Sequence, residues 1–184
     1  MNRSTLDKLI SSTGLIMAVV LIAASGALFY AHSFIHKQVH DQLAEQRITF
    51  PEAGGKALAA LPAGDQAVIA PYAGQQLVTG AQAEAFADHY IGAHLDKIGG
   101  GKTYSELSAA SMADPTNTTL ATQVQTVFRG ETLRGLLLNA YAFDTMATIA
   151  YVAAVGSLVA AALLVVLSAL GFYHAGVVTK KKKR

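Results

Sequence analysis

The sequence predicts an all-α membrane protein: a two-helix transmembrane hairpin carrying a small helical extracytoplasmic domain that contains an irregular segment. Three observations predict this. Thr13–Ile35 and Thr145–Thr179 contain no Asp, Glu, Lys or Arg, and each exceeds the roughly 20 residues a helix needs to cross about 30 Å of hydrocarbon. The charges separate by region. Residues 1–12 and 176–184 together hold seven basic and one acidic residue, a net of +6, whereas residues 36–144 hold seven basic and eleven acidic, a net of −4. Cysteine is absent, which excludes disulfides, Cys-based zinc sites and thiolate catalysis.

The chain divides into a cytoplasmic N-terminus (1–12), a first span (13–35), an extracytoplasmic domain (36–144), a second span (145–175) and a basic tail (176–184). Lys180, Lys181, Lys182, Lys183 and Arg184 act as the topology anchor. Basic flanks stay in the cytoplasm, so both termini are expected inside, the domain outside, and the chain in the cell (inner) membrane. That cluster reads as lying on anionic membrane lipid, not as a nucleic-acid site. The first run continues past the small residues Ala24-Ser25-Gly26-Ala27, longer than a signal peptide needs, and is read as an uncleaved anchor.

Both spans are rich in small residues. Ala23, Ala27 and Ala31 in the first, and Ala153, Ser157 and Ala161 with Gly156 and Ala160 in the second, recur every four positions. Small residues let helix backbones approach where lipid removes the hydrophobic drive, so the two spans are expected to pair through these stripes. The second run would cover about 52 Å at 1.5 Å per residue and is expected to rise into the domain.

After Ile35, helical spacing persists through His36, Val39, Leu43 and Gln46. Arg47-Ile48-Thr49-Phe50 reads as an extended exit stopped by Pro51. Three prolines and four glycines make 51–78 irregular, with one helical turn at Lys56–Leu61. Thr79-Gly80-Ala81-Gln82 and Thr103-Tyr104-Ser105-Glu106 fit capping boxes that open helices. The first of these helices ends at Gly99-Gly100-Gly101. Asp114-Pro115 is expected to start the next helix, which Gly130 would interrupt before residues 131–144 lead into the second span.

Gly99-Gly100-Gly101-Lys102-Thr103 superficially suggests a phosphate loop, but Asp96 stands where that motif requires glycine. A helix C-cap followed by an N-cap accounts for it. His32, His36 and His40 share one helix face at i, i+4 and i+8, a spacing that can hold Zn²⁺, Cu²⁺ or haem. Asp41 and Glu45 lie on adjoining faces, and His89 and His94 could join only by folding back. Asp144 is expected to cap the second span or pair with Arg134 or His32. Arg129, Glu131 and Arg134 form the densest charged patch near the membrane. They read as a partner-docking surface or as ion pairs along one helix. No residues suggest a catalytic constellation.

The segments Gln46–Pro51, Tyr72–Gln76, Ile98–Glu106 and Phe128–Gly135 together resemble an uncharacterised family of actinobacterial two-span membrane proteins with a GGKTY-type extracytoplasmic motif. The resemblance implies an inner-membrane location and a helical external domain, and brings no catalytic residue. The expected function is therefore a membrane-anchored, non-enzymatic interaction protein, an accessory or scaffold subunit of an envelope or respiratory complex. Its expected partners are lipid and a membrane protein or a second copy. No cofactor is expected. The alternative is a metal- or haem-binding protein using His32, His36 and His40. An external enzyme or lipid-binding domain would need a pocket between the Thr79 helix and the Asp114 helix.

Overall fold

The computed structural model describes residues 3–181, and the side chains of residues 3–177. The elements are α1 (Arg3–Gln46), α2 (Lys56–Ala59), α3 (Ala63–Ile69) with a 3₁₀ turn Ala70–Tyr72, α4 (Gly80–Ala85), a π-helical segment Phe86–Ile91, α5 (Gly92–Gly99), α6 (Tyr104–Ala113) and α7 (Thr118–Lys181). Among the described residues the only β feature is an isolated antiparallel bridge between Thr49 and Gln76. Two helices, α1 and α7, are long and apolar enough to cross a membrane. The chain forms two compact units, residues 1–34 with 146–184, and residues 35–145.

In the first unit the two long helices lie side by side in opposite directions. Ser4 Oγ donates to the Ala175 carbonyl at 3.3 Å, Ser25 Oγ to that of Ala154 at 2.9 Å, and His32 Nδ1 to that of Ala147 at 2.9 Å. Asp7 meets His174 at 3.0 Å. The buried positions recur every seven residues: Ser11, Ala18 and Ser25 on α1, and Ala147, Ala154, Ala161, Ser168 and Ala175 on α7. A seven-residue repeat keeps one face toward the partner at 3.5 residues per turn. This corrects the expected pairing stripes. A four-residue repeat drifts about 40° round the helix at each step, so Ala23, Ala27, Ala153 and Gly156 are exposed, and Ala161 alone of those positions is buried. Gly14 and Gly171 show how close the backbones come: a Cβ at Gly14 would lie 2.5 Å from Ser168 Oγ, and one at Gly171 would strike Ser11 Oγ.

The second unit has a core of large side chains, including Leu43, Phe50, Ile69, Leu77, Leu107, Val127 and Leu137. Phe50 is its aromatic centre, with the rings of Tyr72 and Phe86 each 5.2 Å away, the latter edge-on. The exit after α1 is extended as expected: Leu77 N donates to the Ile48 carbonyl (2.8 Å) and Phe50 N to that of Gln75 (2.9 Å). Arg47, at φ 53°, turns the chain out of α1.

Three expectations change. Residues 51–78 hold more regular structure than one turn, because Leu58, Leu61 and Ile69 are buried against the core and Pro62 sits at the N-cap of α3, where a missing amide costs nothing. The last helix starts at Thr118, not Asp114. Asn117 Oδ1 accepts from Leu120 N at 2.9 Å, while Asp114 and Pro115 belong to the preceding turn. Gly130 does not interrupt α7. It lets Leu95 of α5 pack where a Cβ would stand.

Candidate functional site

Both capping boxes form. Thr79 and Gln82 exchange bonds at the start of α4, and Thr103 and Glu106 do so at the start of α6. Between α5 and α6 lies the glycine run. Gly100 (φ 60°) and Gly101 (φ 77°) take the left-handed conformation that ends a helix. The amide of Gly101 donates to the Asp96 carbonyl (3.0 Å), that of Lys102 to Gly99 (3.3 Å) and that of Thr103 to Glu106 Oε2 (2.7 Å). These donors are consumed by the caps, so the loop presents no amide cradle to a phosphate. The same bonds to Thr103 hold the Glu106 carboxyl below its ordinary range.

The glycine run nevertheless borders a cleft. Asp96, Gly101, Lys102, Thr103, Glu131 and Arg134 help to line an open volume of about 260 Å³. The cleft brings the Gly99–Thr103 segment next to the 129–134 patch, two stretches that lie apart in the chain. Arg134 is already engaged. Its Nη2 and Nε bond Asp88 Oδ1 at 2.8 and 3.2 Å, and its Nη1 meets Glu131 at 3.4 Å. Asp88 holds its guanidinium above the ordinary arginine range, so it is charged at any working pH. Of the three patch residues, Glu131 and Arg134 form the i, i+3 pair and Arg134 ties α7 to the π-helical segment through Asp88, while Arg129 is exposed. Beside it, Phe128 packs its ring 5.5 Å from that of Tyr104, and both are large exposed apolar groups.

Each of the histidines meets an oxygen acceptor. His36 Nδ1 donates to Asp144 Oδ1 (2.8 Å), His40 Nδ1 meets Asp41 (3.3 Å), His89 Nδ1 bonds Asp65 (2.8 Å) and His94 Nδ1 the Tyr90 carbonyl (2.7 Å). With His32 on Ala147, the three histidines expected to share a ligand each face a different oxygen acceptor. Among the described residues no group of three or more His, Asp or Glu could hold a metal ion.

Asp144 pairs with His36, a partner outside the expected cap on the second span or pairing with Arg134 or His32. It also lies over Gly80, where a Cβ would come within 2.7 Å of Asp144 Oδ2. Glycine is required there, and the carboxylate rests against the amino end of α4, where negative charge is favourable. Asp65 and Asp88 escaped sequence reasoning because their partners lie 24 and 46 positions away. The π-helical segment escaped it too. It carries Asp88 and His89 side by side to partners on different elements.

The anchor residues Lys180, Lys181, Lys182, Lys183 and Arg184 lie outside the residues whose side chains are described. No family model matches this chain, and no curated protein or solved structure matches it.

Proposed function

We propose that this chain is a membrane-anchored, non-enzymatic interaction protein. The first unit would span the cell membrane as a hairpin with both termini cytoplasmic. Residues 36–144 would form an extracytoplasmic domain that docks a membrane-protein partner or a second copy, as an accessory or scaffold subunit of an envelope or respiratory complex. The membrane part is supported by inverted polarity: serine, glycine and alanine face the seam, while Ile16, Val19, Leu163 and Leu167 point outward. The observation that carries the docking part is the exposed Tyr104–Phe128 ring pair beside Arg129. Aromatic residues and arginine are enriched where protein surfaces are recognised. With Arg134 engaged by Asp88 and Glu131, Arg129, Phe128 and Tyr104 are the contact residues of this reading.

Purification in mild detergent, with mass measured by light scattering, tests it. A stoichiometric partner or a dimer is expected, and Tyr104→Ala with Phe128→Ala should release it. A chain running as a lone monomer would refute the docking role. The topology is tested by single cysteines, informative because the chain has none of its own. Ala109→Cys should react with an impermeant maleimide from outside, and Thr5→Cys should not.

A further inference from the structure

The geometry points to a lipid boundary different from the charge-free runs: hydrocarbon covers residues 9–30 of α1 and 151–173 of α7, between two aromatic belts. This rests on the membrane-anchor reading above and specifies where that anchor meets lipid. At one end Tyr30, Phe34 and Tyr151 are exposed on the surface of the helix pair. Tyr30 stacks with Phe34 (6.2 Å), and Tyr151 meets Phe29 (5.9 Å) and His32 (5.2 Å). At the other end Phe172 and Tyr173 are exposed. Rings with an apolar body and a polar tip collect where hydrocarbon meets headgroups.

The spacing selects these belts. Tyr151 and Tyr173 stand 22 residues apart, about 33 Å along a helix axis, close to the roughly 30 Å of a bilayer core. The Asp7–His174 contact sets Lys8 level with Tyr173, and Lys8 to Tyr30 is again 22 residues. No ionisable side chain other than the tyrosines falls between the belts on either helix. Arg3 and Lys8 are exposed at the Tyr173 end, where their charge complements lipid phosphates. A groove of about 230 Å³ has Asp7 and His174 at its outer end and runs inward past Ser11, Gly14, Leu164 and Ser168.

Because the chain has no tryptophan, single-tryptophan variants report depth without interference. The full chain would be placed in vesicles of phosphatidylcholine and phosphatidylglycerol brominated either near the headgroup or deep in the acyl chain. Val19→Trp and Leu163→Trp, at the centres of the two spans, should be quenched best by deep bromine. Tyr30→Trp, Tyr151→Trp and Tyr173→Trp should be quenched best by shallow bromine. Met146→Trp should emit at longer wavelength with at most a tenth of the Leu163→Trp quenching. Quenching of Met146→Trp as deep as that of Leu163→Trp would overturn the boundary while leaving membrane insertion intact. Absence of quenching at all six positions would overturn the membrane anchor itself.

Discussion

The two units bury opposite kinds of side chain. In the domain, α7 turns Val124, Val127 and Leu137 inward. In the helix pair the same helix turns Ala147, Ala154 and Ala161 inward and leaves Leu158, Leu163, Val166 and Leu167 outside. Water drives large apolar groups together at about 25 cal/mol per Å², so a core in water is made from the largest side chains that fit. Lipid supplies no such drive, and a helix pair within it holds by close approach and by hydrogen bonds across the seam. The difference lies in which face is filled, and it predicts that the two interiors respond oppositely to changes in side-chain size.

Removing bulk should hurt the domain most. Phe50→Ala deletes a ring in contact with Tyr72 and Phe86 from a side chain only 2% exposed. Such deletions cost about 3–5 kcal/mol. Denaturation followed by circular dichroism in detergent should show the domain melting early while the α1–α7 pair stays helical. Equal stability would deny Phe50 its place in the core. Adding bulk should hurt the helix pair next. Ala154→Leu fills the seam opposite Ser25 and should cost about 1–3 kcal/mol, whereas Ala153→Leu, one position round the helix, points outward and should be neutral. Equal sensitivity of the two sites to denaturation by sodium dodecyl sulfate would break the seven-residue seam.

These contrasts also mark how far the sequence can be read. The long helices, both capping boxes, the glycine stop after α5 and the extended exit at Ile48–Phe50 were legible because each is a local pattern of propensity, capping or periodicity. The seam was misassigned because alanine is abundant on every face, and only the partner selects which alanines are buried. Local spacing also put the start of α7 at Asp114-Pro115, where Asn117 in fact caps the helix. The pairs Arg134–Asp88, His89–Asp65 and His36–Asp144 depend on where distant elements pack, which no spacing encodes. At the candidate site the sequence supplied the glycine run and the Arg129–Arg134 patch. The structure supplied the cleft that brings the glycine run to Glu131 and Arg134, and the exposed ring pair of Tyr104 and Phe128.

Ion pairs on the domain should matter less than either interior. Arg134 and Asp88 are each about one-third exposed, so solvent screens the contact and a double-mutant cycle with Arg134→Met and Asp88→Asn should give a coupling of about 0.5–1 kcal/mol. No coupling would separate Arg134 from the packing of α7 and return it to the docking surface.

The smallest effect should come from acid, and it should be confined to the domain. Glu106 titrates below the ordinary carboxyl value of 4.5 because its charged form accepts from Thr103. A depressed folded value means the cap contributes fully above pH 4.5 and is lost as pH falls through the lower folded value. Amide exchange at Thr103 and Leu107 should therefore quicken only below that range, and Glu106→Gln, which keeps an acceptor without the charge, should flatten the response. The seam of the helix pair has no such cap. The bond from Ser25 to Ala154 is neutral at any pH, so its exchange should not follow the same acid dependence. A parallel rise at Ala154 would show that the two interiors are coupled and do not differ as their side chains suggest.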